Sequence, residues 1–369
     1  MAANKGYSAK DYWEAYQRLG SANKVAQEMG VVKSTVQEAI KRYQRDPAMA
    51  KAAQAVGTNL EPVMAWLKTK HDETGTAVSV LLKPPSEDRN FLEEMREIFD
   101  GLKPAEPITP PEQVLEDLCT VYPLMDVHLG MLADPEETGA SAYNTKRAVE
   151  DLKKAFSKIL ALTPNSAEAV LIVGGDFFHG NDHTNQTQKS RNALDVDGRH
   201  WKVVDAGIVI IAQIAETLAS RHKQLTVKVL RGNHDPESHM ILTFALAERY
   251  RDIPHIQIDK SPMDLFMKQW GKCLIAAHHG DRAPPERLSL YLSDVCPFWS
   301  ETRHRHVLTG HVHKDQAKDV GPIRWESLYA FAPPDAFAAG SKYSGRRALQ
   351  AMTFHKKDGR VLVASDPVE

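Results

Sequence analysis

The chain has 369 residues, 42% hydrophobic, 7% aromatic and 25% charged, which excludes a collagen, a coiled coil or a wholly disordered protein for its bulk. A formal charge of -2 excludes coating of nucleic acid or membrane by bulk charge, so any affinity for phosphate must be local. This length predicts one large domain with at least one small module.

Residues 1–48 carry helical periodicity and a modest basic excess. Ser8 with Asp11, Ser21, and Ser34 with Gln37 read as caps of three short helices, which Gly20 and Gly30 punctuate. Val25, Ala26, Val31, Val36 and Ile40 fall where a helix-turn-helix needs small or apolar packing positions. The segment resembles a resolvase-type or regulator-type helix-turn-helix. That resemblance makes Ser34–Arg45 a recognition helix and Lys33, Ser34, Thr35, Gln37, Lys41 and Arg42 the candidate DNA-binding residues. The same face also suits a helical protein-interaction module.

Residues 49–111 read as a connector broken by Pro84-Pro85, Pro104, Pro107 and Pro110-Pro111, with a hairpin-like stretch near Thr76–Leu82 and no assignable chemistry. From residue 112 to 369 apolar strands alternate with amphipathic helices, the pattern of a layered α/β fold. Strands are expected near Val121–Met125, Ala169–Gly174, Thr226–Arg231, Cys273–Ala277 and His306–Thr309, with helices near Thr145–Leu162 and Val203–Ser220. Cys119, Cys273 and Cys296 have neither metal-ligand nor redox spacing and read as small buried hydrophobes of a reducing compartment. Residues Met1–Gly20 lack the apolar core of a signal peptide and no apolar run is long enough to span a bilayer, so the expectation is a cytoplasmic protein with no membrane partner.

A polar cluster follows each of the five strands, at the carboxyl edge where α/β sheets place their sites. In order they read Asp126-Val-His128, Gly175-Asp176-Phe-Phe-His179, Gly232-Asn233-His234-Asp235, His278-His279-Gly280-Asp281 and Gly310-His311-Val-His313. Pairs at i and i+2 on a strand end point the same way, as Asp126 with His128 and His311 with His313 must to reach one ion. Oxygen and nitrogen donors without sulfur suit Mn, Fe, Zn or Mg in a paired site better than a closed structural zinc. Asp176, between the two ligand groups, is the natural bridge.

The five clusters together resemble the signature of the calcineurin-like metallophosphoesterases over roughly Leu118–Lys314. Leu129-Gly130 after Asp126-Val-His128, and His179 three residues after Asp176, are similar to the SbcD-type and phage-encoded DNA repair exonucleases. The resemblance implies a metallophosphoesterase β-sandwich flanked by helices and two divalent ions, Mn first with Mg, Fe or Zn as alternatives. It places one ion on Asp126, His128, Asp176 and His313, and the other on Asp176, Asn233, His311 and either His278 or His279. His279 is favoured because Gly280 lets the backbone turn away directly after it. His234 would assist the departing oxygen with Asp235 orienting it, and His179 would contact the phosphate from the other side.

His183, His200, His222, His239, His304 and His306 occupy no motif position and read as packing or surface histidines. The polar stretch Asp182–Trp201 is expected to be a substrate-contacting loop or lid. Joined to a DNA-directing module, the site predicts a metal-dependent DNA exonuclease of phage or prophage type with DNA as partner. The alternatives are a phosphomonoesterase or small-nucleotide phosphodiesterase whose N-terminal helices bind a protein, and a DNA-binding regulator with a scaffold phosphoesterase domain. Homo-oligomerisation is compatible with each.

Overall fold

The computed structural model describes residues 7, 9–40, 62–68, 77–82, 102–187, 191–343 and 345–368, and the chain divides into two compact units, Met1–Phe91 and Leu92–Glu369. Ser8, Lys41, Arg42 and Pro84-Pro85, named above, lie outside the described residues.

In the first unit α1 (Ala9–Leu19), α2 (Ala22–Met29) and α3 (33–40) share an apolar cluster of Tyr12, Ala15, Val25, Ala26, Met29, Val36 and Ile40. Gly30 ends α2 in the left-handed region, at φ 68°, and returns its N–H to the Ala26 carbonyl. The third helix begins at 33, so Ser34 lies inside its first turn and not at the cap position read from the sequence. Lys33, Ser34, Thr35 and Gln37 are exposed while Val36 and Ile40 are buried. Further on, β1 (Pro62–Lys68) pairs antiparallel with β2 (Ala77–Leu82), the latter falling on the hairpin-like stretch.

The second unit is the layered α/β sandwich expected. Its six-stranded sheet runs β13-β12-β3-β4-β5-β6, formed by β3 (Leu115–Leu124), β4 (Ser166–Gly174), β5 (Gln224–Leu230), β6 (Ile256–Asp259), β12 (Ala348–His355) and β13 (Gly359–Pro367). Strands β3 to β6 are parallel, and β12 and β13 complete one side antiparallel. The five-stranded sheet runs β10-β11-β9-β8-β7, from β7 (Leu265–Trp270), β8 (Cys273–His278), β9 (His304–Thr309), β10 (Gln316–Val320) and β11 (Ile323–Ser327).

Side chains alternate across each strand, and this alternation builds the layers. On β4, Val170 and Ile172 join Val121 of β3, Ile275 of β8 and Leu308 of β9 in the core between the sheets. Leu171 and Val173 point the other way, into a core shared with the helices α5 (Thr145–Leu162), α6 (His200–Ala219) and α7 (Ser238–Arg249), which follow the four-residue α4 (Pro135–Thr138). Asn144 caps α5 through its side chain and the Arg147 N–H, and Ala148, Leu152, Ala155, Phe156 and Ile159 form the buried stripe that a 3.6-residue period demands. Outside the second sheet, Leu288 and Leu292 of α8 (Pro285–Val295) pack on Leu274, Val307 and Trp325. The order is helices, sheet, sheet, helix. Among the described residues no helix is long and apolar enough to cross a membrane.

Candidate metal centre and its cavity

Parallel β3, β4, β5, β8 and β9 end together, and the five polar clusters lie in the loops that follow them. The backbone there is not the strand continuation expected from the i, i+2 pairs. Asp126, His128, Asp176, His311 and His313 all adopt positive φ, between 47° and 69°. Non-glycine residues in this region cost roughly 1–2 kcal/mol each, and such outliers gather at sites whose surroundings over-determine them. The surroundings here are specific: the His128 N–H donates to the Asp176 carbonyl at 2.9 Å, and the Asp126 carboxylate accepts the His311 N–H at 2.9 Å.

Three groups of ligand atoms result, each within 4.8 Å internally: Asp126, His128 and His313; Asp176, His279 and His311; and His128, His179 and His234, which has imidazoles alone and shares His128 with the first. In the first, the His128 and His313 Nε2 atoms face each other at 3.4 Å, with Asp126 Oδ1 3.4 Å from His313 Nε2. In the second, His279 Nε2 lies 3.2 Å from both Asp176 Oδ2 and Asn233 Oδ1. His279 Nδ1 donates to the Gly174 carbonyl, the arrangement that directs the other ring nitrogen at a cation. His278 points elsewhere, its Nδ1 accepting the Gly280 N–H at 2.9 Å. Imidazole nitrogens and carboxylate oxygens converging on one spot, with no sulfur, are a donor set for a divalent ion of borderline hardness. The residues therefore fit a metal pair.

Two glycines let the loops approach this closely. A side chain at Gly232 would overlap the Asp176 carboxylate, and one at Gly310 would overlap that of Asp126.

Burial pulls the His128 imidazole well below the usual histidine range, and His234 adds to the effect. For His279 burial acts in the same sense, but the Asp176 carboxylate outweighs it and raises the ring to about 10. Burial likewise opposes ionisation of Asp176, yet His279 holds that carboxyl well below its ordinary value. Without a cation the second group thus exists as a buried ion pair.

Two sequence assignments need correction. Asp235 does not orient His234: its buried carboxylate accepts the backbone N–H groups of Asp176, Phe177, Phe178 and Gly232, stapling the second loop to the third. Burial, reinforced by the Asp176 charge, pushes Asp235 up to about 6. The group that orients His234 is the His179 carbonyl, which accepts from His234 Nδ1 at 2.9 Å. His179 itself is 1% exposed and stands behind His128, the two Nδ1 atoms 3.2 Å apart, so its ring backs a candidate ligand instead of facing a phosphate. A clip unseen in the sequence joins the third loop to the fourth, Arg231 donating to Asp281 at 3.1 Å and to the Gly232 carbonyl at 2.7 Å.

The centre forms the floor of a cavity of about 610 Å³, into which His128, Asp176, Asn233, His234, His311 and His313 open. No described residue of Asp182–Trp201 lines it, so that stretch is not the cavity's lid; the opposite wall is built from the segment 328–347, between β11 and β12.

Compared by sequence, the chain matches no family model and no curated protein. By fold it is similar to an archaeal phosphodiesterase at 10% identity and a TM-score of 0.35, over 67% of this chain and 99% of that one. It is also similar to the phosphoesterase YfcE of E. coli, at 15% identity and a TM-score of 0.34, over 68% and 100% of the two chains. Zinc-bound Vps29 of Entamoeba histolytica gives 12% identity and a TM-score of 0.28 over 68% and 99%. Values this low transfer no activity, which must be argued from the site.

Proposed function

We propose that this chain is a divalent-metal-dependent phosphoesterase that hydrolyses DNA exonucleolytically, as enzymes of phage or prophage type do. The observation that carries the reading is the meeting of the first two ligand groups and Asn233, from five separate loops, on the floor of one cavity. Asp126, His128 and His313 would hold one cation, Asn233, His279 and His311 the other, with Asp176 shared between them. Four imidazoles with two carboxylates and an amide oxygen suit Mn, Fe or Zn, and Mn is the ion taken first here. A bound pair supplies Lewis acidity that neutralises phosphate oxygens and brings a water's pKa toward neutrality.

The chain's own residues do the rest. His234 has its Nδ1 proton committed to the His179 carbonyl, so it would give a proton from Nε2 to the departing oxygen as the imidazolium, the form protonated at both nitrogens. Asp235 and the Arg231–Asp281 clip hold the loops in register, so that little reorganisation is needed on reaching the transition state. DNA as substrate is supported by the exposed polar run Lys33, Ser34, Thr35 and Gln37 on a helix whose other face is buried.

The test is hydrolysis by chelator-stripped protein restored with Mn, Mg, Fe or Zn, on end-labelled single- and double-stranded DNA, a chromogenic phosphodiester and a phosphomonoester. Metal-dependent release of nucleotides from DNA is expected. Cleavage of the monoester alone overturns the DNA reading, and no cleavage of any ester with any metal overturns the phosphoesterase reading. In the same preparation, Gln at Lys33, Lys41 and Arg42 should weaken DNA binding and flatten the plot of log affinity against log salt by about 0.9 for each phosphate no longer neutralised.

A further inference from the structure

The wall facing the metal centre has a composition that phosphate hydrolysis alone does not require. The segment 328–347 is anchored at both ends to the centre's own framework. The Phe331 and Ala332 N–H groups donate to the Met125 and Asp126 carbonyls, each at 3.0 Å, and Arg347 donates to the Phe331 carbonyl at 2.8 Å and to buried Asp151 at 3.0 Å. Gly345 passes so close to the His313 carbonyl that a Cβ there would lie 2.7 Å from it. The stretch between the anchors, from Pro333 to Arg346, is thus held over the metal centre, with Pro333-Pro334 fixing its entry.

Within this fixed frame two aromatic rings stay in the open. Phe337 is 67% exposed and Tyr343 62%, and both line the cavity. Folding has left these rings uncovered on the lining of the cavity that holds the candidate ligands. Beside them Lys314 and Arg346 also line the cavity, and among the described residues neither forms an ion pair or side-chain hydrogen bond. The one acid of this wall, Asp335, is already engaged, its carboxylate accepting the Ala338 N–H at 2.7 Å. The surplus around the cavity is two unengaged cations, Arg346 of this segment and Lys314 of the fifth loop, and two unengaged aromatic faces. A simple alkyl phosphate or an inorganic anion would use neither ring, whereas a ligand with a flat heterocycle and a second phosphate would use all four residues.

We propose that segment 328–347 is a base-recognition wall: Phe337 and Tyr343 take a nucleobase against their rings, while Lys314 and Arg346 take a phosphate adjacent to the scissile one. The substrate class is therefore a nucleotide at the end of a strand, and specificity for it resides in this wall instead of in the metal ligands. The inference rests on the phosphoesterase reading for its reaction, but the binding it asserts can be measured without turnover.

The test uses the Mn-loaded full-length protein in two arms. In the kinetic arm, thymidine 5′-(4-nitrophenyl) phosphate is compared with methyl 4-nitrophenyl phosphate, two diesters with the same leaving group, one carrying a nucleoside and the other a methyl group, and the alanine variants at the two rings separate the base from the sugar. The kcat/KM ratio should favour the nucleoside ester by about tenfold or more and fall by about that factor in Phe337→Ala and in Tyr343→Ala, whereas Tyr343→Phe keeps it. Arg346→Gln should raise KM for a dinucleotide more than for the mononucleoside ester. In the binding arm, calorimetry compares deoxyadenosine 5′-monophosphate with inorganic phosphate, and the same two alanine variants should lose the preference for the nucleotide. A wild-type protein that treats the paired ligands alike, or alanine variants that retain the wild-type preference, overturns the wall. Nucleotide binding that depends on the wall but comes with no hydrolysis of any ester supports the wall and overturns the phosphoesterase reading instead.

Discussion

The adjacent pair His278 and His279 offers the sharpest test of the metal centre, because two neighbouring imidazoles are assigned opposite parts. His279 is 1% exposed, and its Nε2 lies 3.2 Å from an equally buried Asp176 carboxylate. In metal-free protein His279→Ala leaves that carboxylate buried without its partner, a loss of the kind that costs about 3–5 kcal/mol. With metal present it removes a donor from a group of three or four, so affinity should fall more than the 10- to 100-fold typical of losing a mere supporting partner. His278→Ala leaves the Gly280 N–H without its acceptor, about 1–3 kcal/mol, and empties a buried position, but it should leave metal affinity within a few-fold of wild type. Urea unfolding after chelation gives the first pair of values. Metal content after equilibrium dialysis against Mn gives the second. A His278→Ala protein that loses its metal while His279→Ala retains two ions per chain would refute the ligand geometry.

Two further outcomes follow from other parts of the second unit. His234→Ala should lower kcat by about 10²–10⁴-fold with metal content unchanged, the mark of a proton carrier; an equal loss of metal would make His234 a ligand instead. Buried His222, held between the Tyr122 hydroxyl and the Ser166 N–H, is pushed down to about 4 by burial, against an ordinary 6.5. The unfolded chain therefore binds its proton first, so stability is complete above pH 6.5 and is lost as the pH falls toward 4, by about 3 kcal/mol. The slope of urea stability against pH across that window should be shallower in His222→Gln, and identical slopes would sink the assignment.

What could be read from the sequence was what periodicity and position carry. The five apolar runs ending in polar clusters gave the parallel strands and their carboxyl edge, because a buried strand must be apolar and its loop need not be. Hence Asp126, His128, Asp176, Asn233, His279, His311 and His313 could be named from the sequence as candidate ligands, with His278 as the alternative to His279. What could not be read depends on backbone twist and on distant partners. Positive φ at Asp126, His128, Asp176, His311 and His313 leaves Asp126 and His128 in one ligand group but sends His311 and His313 to different ones, and although Asp and His adopt this conformation more readily than most residues, the sequence does not say which of them do. Nor does the sequence show that Asp235 turns from its neighbour His234 onto four backbone donors, three of which lie about sixty residues earlier in the chain. The segment 328–347 has neither period nor motif, and it acquires meaning only when Ala332 reaches Asp126 and Gly345 reaches His313. The candidate metal ligands, singled out by donor chemistry, are therefore legible as residue types. The wall proposed to choose the substrate is a matter of which loop is brought over them, and the fold alone decides that.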